Sequence, residues 1–176
     1  MKSKSPPIAK AEIAKPLRGK KTWQQKLADD KDLPKVVKLE GDMVRRFGGA
    51  TLVIPAPREV DALMRQVPRG ALTTIDELRS AVAKKHKAES GCPITTGIFS
   101  WIAAHAADEA SREGKSDITP YWRVLKARGE VNPKYPGGIE ALTALLQAEG
   151  HQVFQKGKKW FVRDYEKFVR PFKALK

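Results

Sequence analysis

Cysteine is almost absent from this chain of 176 residues: Cys92 stands alone, so no intrachain disulfide and no cysteine-rich zinc site can form. The three histidines, His86, His105 and His151, are far apart and lack metal-ligand spacing. Neither a metal nor any other cofactor is expected. Long apolar runs are missing too, none approaching the roughly 20 residues that a membrane helix needs. The opening residues Met1 to Pro7 lack the apolar stretch of a secretory leader. These absences argue against a membrane protein, a secreted disulfide scaffold and a cysteine-rich zinc-binding fold. A cytoplasmic or nucleoid-associated protein is the expectation.

Negative charge is also scarce. The formal net charge is +14, and its placement is uneven. Residues 1–21 hold seven Lys/Arg against Glu12, and residues 156–176 hold eight against Asp164 and Glu166, leaving the body between them nearly neutral. A basic excess of this size points to an anionic partner, nucleic acid first, with plain solubility as the alternative. At 41% apolar residues the chain can still bury a core.

Periodicity organises the rest. Residues 1–21, rich in Lys, Pro and Ala, read as a disordered basic arm. Residues 22–57 form an extension: Thr22 caps a short helix from Trp23 to Ala28, an extended piece runs from Pro34 to Leu39, a helical turn ends at Gly48-Gly49, and Thr51 to Ile54 is strand-like. From Arg58 helical spacing dominates. Val60, Leu63, Met64 and Val67 mark one helix, and the Thr74-Ile75-Asp76-Glu77 capping box opens another that runs to Lys85. A longer helix starts at Thr95 or Thr96 and ends near Glu113, with Ile98, Trp101, Ile102 and His105 expected on its buried side. His105 is read as a core histidine. A further helix spans Ile139 to Glu149. Two short strands then flank Lys156-Gly157-Lys158-Lys159, a hairpin with a cationic tip. Tyr165 to Leu175 suggests a last helix, interrupted by Pro171. The expected fold class is mainly α with a small β-hairpin, a winged-helix-like helix-turn-helix domain over residues 58–155, followed by a basic wing and tail over 156–176.

Three motifs then stand in register: Pro120-Tyr121-Trp122-Arg123-Val124, Tyr135-Pro136-Gly137-Gly138, and Leu145-Leu146-Gln147-Ala148-Glu149-Gly150-His151. In order and spacing the segment from Val60 to Gly150 resembles the DNA-binding domain of methylated-DNA–protein-cysteine methyltransferases, and especially the related alkyltransferase-like proteins. That family carries Pro-Cys-His-Arg-Val, Tyr-Ser-Gly-Gly and a helix ending in Glu-Gly. The resemblance implies a recognition helix, Thr95 to Ile102, in the minor groove, and an alkylated guanine turned out of the stack into a pocket. Pro120, Tyr121, Trp122, Tyr135 and Glu149 would form that pocket. Thr74, Ile94, Thr95, Thr96, Gly97, Ser100, Arg123, Lys126 and Arg128 would contact DNA, with Lys156, Lys158 and Lys159 as the wing. Arg123 is equally open to a structural hydrogen-bonding role.

The departures bear on the chemistry. Tyr121 stands where the family has its alkyl-accepting cysteine, and a phenol with a reference pKa of about 10 is a poor nucleophile at neutral pH. Trp122 replaces the activating histidine and cannot relay a proton, which leaves Glu149 without its partner. The base-displacing arginine aligns with Ile94 or Thr95, the phosphate-rotating tyrosine with Ile75, and Pro136 replaces a serine. Cys92, ahead of the recognition helix, is not at the acceptor position. The expectation is therefore a non-enzymatic, alkyltransferase-like protein that binds double-stranded, alkylated DNA and signals to repair proteins. A general winged-helix nucleic-acid binder without lesion specificity is the alternative. Methyl transfer to Cys92 and a protein-interaction module with solubilising ends are further readings.

Overall fold

A computed structural model describes residues 19–172, so most of the predicted basic arm and the end of the predicted C-terminal helix lie outside the described residues. Helix α1 (Trp23–Ala28) starts where the Thr22 hydroxyl accepts the Gln25 amide and the Gln25 side chain accepts the Thr22 amide. Its next two free amides, of Trp23 and Gln24, donate to the Glu109 carboxylate at 3.3 and 2.8 Å. An anion thus meets the positive end of the helix, and a six-residue helix too short to stand alone is held in place.

Strand β1 (Lys35–Lys38), helix α2 (Asp42–Phe47) and strand β2 (Thr51–Ile54) follow as the sequence predicts. β1 runs antiparallel to β2. The extension is not a separate unit, however, because β2 is the centre of a three-stranded sheet whose other edge is β4 (Ser90–Gly91). Leu52 and Val53 are buried there, and the Cys92 amide donates to the Val53 carbonyl at 2.9 Å. Pairing over that separation is invisible in a local pattern.

Helix α3 (Pro57–Arg65) carries Val60, Leu63 and Met64 into the core, all fully buried. The two-residue β3 (Thr73–Thr74) leads into α4 (Ile75–Lys85), where the Thr74 hydroxyl accepts the Glu77 amide at 3.2 Å. Helix α5 (Pro93–Arg112) begins two or three residues before the expected start at Thr95 or Thr96, with Pro93 in the first turn and Cys92 as N-cap. β5 (Val124–Leu125) pairs parallel with β3. Helix α6 (Gly138–Ala148) and the hairpin β6 (Val153–Lys156) with β7 (Lys159–Val162) complete the described elements. The proposed boundary at residue 155/156 cuts through β6, so the wing belongs with the strand that precedes it.

The buried side of α5 is a correction. Thr96, Ser100, Ala103, Ala104, Ala106 and Ala107 face the core, while Ile98 is 46% exposed and Trp101, Ile102 and His105 are half-buried. Helix α5 packs against α1, α3 and α4 at once, and only small side chains let three helices approach it closely. The large residues are displaced to its flank. Around it, Leu63, Leu72, Leu78, Leu142 and Leu146 are fully buried, each contributing roughly 2 kcal/mol of transfer free energy.

The last predicted helix is not formed among the described residues. Tyr165–Lys167 makes a single 3-10 turn. Phe168 then accepts the Leu72 amide through its carbonyl at 2.9 Å, and Val169 bridges Leu72 in parallel. The chain there satisfies the backbone of Leu72 rather than its own, and Pro171 could not have continued a helix ladder. The architecture is mainly helical, with a terminal hairpin after the helix-turn-helix pair α4 and α5.

Candidate nucleic-acid interface

The first half of α5 presents two isoleucines outward. Ile94 is 58% exposed and Ile98 46%, and at i, i+4 they share one helix face. Beside them lies a cavity of about 850 Å³, bounded by α5, by the start of α4 and by residues 126–134. Its walls are mostly apolar, with Ile75, Ile94, Ile98 and Trp101, and its polar groups include Asp76, Lys126, Asn132 and Lys134. The volume falls in the range of small-ligand sites, roughly 300–1,000 Å³.

Local contacts hold this cavity open. The Asn132 side chain accepts the Lys134 amide at 3.1 Å, a short Asx turn. The Trp101 indole N–H donates to the Lys134 carbonyl at 3.1 Å, tying the loop to α5. Trp101 in turn meets His105 and Trp23 edge-on, and His105 stacks on Trp23 with centroids 4.5 Å apart. Helix α1 thus braces one end of the cavity through three aromatic rings. His105 is therefore a wall residue backed by Trp23, rather than the core histidine expected.

Tyr121, Trp122 and Glu149 do something else. Tyr121 is 7% exposed and meets Trp122 and Tyr135 edge-on at 5.4 and 6.0 Å. Trp122 donates its indole N–H to Glu149 at 2.8 Å, and Arg123 grips the same carboxylate through Nε and Nη2, the closest contact at 2.7 Å. Arg123 also donates to the Val67 carbonyl at 2.7 Å, and the Gly70 amide donates to Glu149 at 3.1 Å. Burial pushes the Glu149 carboxyl up, but the Arg123, Gly70 and Trp122 hydrogen bonds outweigh it and hold the group below its ordinary value. Glu149 is thus not stranded; Trp122, Arg123 and the Gly70 amide are its donors.

This corrects two expectations. Pro120, Tyr121, Trp122, Tyr135 and Glu149 do not line the cavity beside α5; Pro120, Tyr121 and Tyr135 are buried, and Trp122 and Glu149 are tied into the Arg123 network. Tyr135 alone backs the cavity wall: burial raises its phenol to about 12, and the neighbouring Ser100 and Asn132 oppose the shift. Among the described residues its hydroxyl has no partner in good hydrogen-bond geometry. Arg123 takes the structural role, since its guanidinium is committed to Glu149 and Val67. Tyr121 is also a worse nucleophile than a free phenol, because burial raises its pKa and the Asp108 charge raises it further.

Of the expected DNA contacts, Thr74, Thr96 and Ser100 point inward. Thr96 and Ser100 are fully buried and donate back to the Cys92 and Gly97 carbonyls at 2.7 and 2.9 Å. Thr74 is spent on its N-cap. Ile94, Gly97 and Lys126 do line the cavity, and Ser100, buried as it is, also forms part of its wall. Thr95 is half-buried, and its hydroxyl has no hydrogen-bond partner among the described residues. Arg128 is exposed in a left-handed conformation, φ 62°. Lys156 and Lys158 are exposed, whereas Lys126 and Lys159 both pair with Glu130, at 2.6 and 2.9 Å. Cys92 is buried and does not line the cavity. Sequence reasoning missed Ile98, Trp101, Asn132 and Lys134 as cavity residues. Isoleucines at i, i+4 read equally as core or as an exposed wedge, and only the Asn132-Pro133-Lys134 turn signal was there to be found.

Solved structures similar to this chain include two from S. pombe. They are S. pombe Atl1 in complex with damaged DNA containing O6-carboxymethylguanine, at TM-score 0.43, and S. pombe ATL in complex with DNA, at 0.47. Each is 16% identical in sequence, with 65% of this chain covering 93% of the other. No protein-family model matches the chain, and no curated protein sequence is similar to it. Among the described residues, no helix is long and apolar enough to cross a membrane.

Proposed function

We propose that this chain is a non-enzymatic DNA-binding protein that senses damaged bases: α5 enters the minor groove, and an extruded base enters the cavity beside it. The observation that carries this reading is the juxtaposition of two exposed isoleucines with a largely apolar cavity rimmed by Lys126 and Lys134. An apolar wedge unstacks a base step, and the step opened needs a pocket within reach of the wedge. Trp101 supplies a ring for the base to stack on, and Asp76 and Asn132 supply hydrogen-bonding groups at its edge. Arg128 and Lys134 meet the flanking phosphates.

No group in this arrangement suits alkyl transfer. The cavity has no cysteine in its lining, and Tyr121 is buried in the core, away from that lining, with a raised pKa. The protein therefore holds a lesion and hands it to repair proteins. A competition assay tests this: a duplex bearing an alkylated guanine displaces a labelled probe better than its unmodified counterpart. Equal competition favours the second reading, a winged-helix binder without lesion specificity, which the core placement of Tyr121 and Trp122 supports. A methyl adduct on Cys92 after incubation with methylguanine DNA, read by mass spectrometry, would overturn the non-enzymatic assignment.

A further inference from the structure

We infer that the outer face of the β6–β7 hairpin is a binding site for single-stranded nucleic acid, separate from the cavity beside α5. Strand alternation sorts the hairpin's side chains onto two faces. Val153, Trp160 and Val162 join the core or pack against it. Phe154 and Phe161, paired directly across the ladder, belong to the other face and take no part in the core cluster. Their rings stack with centroids 5.9 Å apart and planes 29° from parallel. Phe154 is 37% exposed, although strand burial is where a phenylalanine would gain most.

Cations bracket these rings. Lys156 and Lys158 stand at the tip, and the Arg163 guanidinium lies 5.5 Å from the Phe154 ring centroid at the other end. Among the described residues, none of the three has an ion-pair partner, in contrast to Lys159, which is held by Glu130. Beside Phe154 and Arg163 lies a recess of about 450 Å³ whose lining also includes Gln147, Gln152 and Val153. Lysines, an aromatic pair, an arginine and a polar recess therefore follow one another along a single strip.

That order selects the ligand. The unpaired cations call for a polyanion, and the exposed Phe154 ring, backed by the half-buried Phe161, calls for a flat group able to stack on it. A duplex offers its phosphates but keeps its bases stacked and paired, so it would leave Phe154 unused. A single strand presents both, and accepting any base requires no base-specific hydrogen bond.

The test uses the full chain and a fluorescein-labelled dT dodecamer, read by anisotropy beside a labelled duplex. Phe154→Ala is expected to weaken dodecamer binding about tenfold and to leave duplex binding within about twofold. Phe154→Tyr, which keeps a ring, is expected to retain it, and thermal unfolding establishes that both variants fold. Lys158→Ala should flatten the salt dependence of dodecamer binding by about 0.7 in log–log slope, whereas Phe154→Ala leaves the slope unchanged. Ile94→Ala, acting at the other site, should spare the dodecamer. Failure of the dodecamer to bind would overturn the assignment, as would equal losses for single strand and duplex on removing the ring, or a polyglutamate peptide binding in its place. Failure of the wild-type chain to bind the duplex, with the dodecamer still bound and still sensitive to Phe154→Ala, would count against the lesion-sensing reading and not against this one.

Discussion

Two aromatic clusters sit within one small fold and obey opposite rules. Around Tyr121 and Trp122 the polar groups are buried and mostly paired: one carboxylate takes hydrogen bonds from an indole, a guanidinium and a backbone amide. Beside α5 the polar groups sit at the edge, while apolar side chains that could have been buried stay in solvent. A satisfied polar cluster in the interior holds a fold together. Exposed isoleucines next to an open cavity carry a cost that only a ligand recovers. The Tyr121-Trp122 motif belongs to the first kind, and the surface proposed to meet DNA belongs to the second.

The contrast breaks most sharply at Glu149. Glu149→Ala leaves Arg123 buried without its counter-charge, and a loss of about 3–5 kcal/mol of folding stability is expected, measured by urea unfolding. Because the folded-state pKa of Glu149 lies below its ordinary value, the stability it contributes is present above that ordinary value and is lost as pH falls through the folded one. Acid unfolding of the wild type should show this loss, and the variant should lack it. A change of under about 1 kcal/mol would mean that the network is screened like a surface pair.

The opposite signature is expected at Ile94. At 58% exposure, Ile94→Ala should shift stability by no more than about 0.5 kcal/mol yet weaken duplex binding by about tenfold, the scale of unstacking one base step. An unchanged duplex affinity would remove the wedge. The smallest effect is expected at Arg128, exposed and with no ion-pair partner among the described residues. Arg128→Ala should weaken binding of all duplexes alike and reduce the salt slope by about 1; a lesion-selective loss would place it at the base instead.

The elements were legible largely because their signals are local. Thr22 and Thr74 cap the helices their positions predict, and Gly157 sits in the hairpin turn flanked by Lys156 and Lys159 as the spacing suggests. The site was less legible. Thr96 and Ser100 look like helix-surface hydroxyls, but α5 turns them toward its neighbours, and Ile98 goes out because the alanines must go in. Hydrophobicity alone would have ranked them the other way.

By itself the sequence determined the capped starts of α1 and α4, the hairpin, the basic ends and the lack of a thiol at the position of the resembling acceptor. These follow from residue chemistry within a few positions along the chain. Tertiary structure alone decided that β2 pairs with β4, that Phe168 completes the backbone of Leu72, and that Arg123 faces Glu149 rather than phosphate. Each joins groups far apart in sequence, and each is settled by the cost of leaving a buried backbone group or charge without a partner.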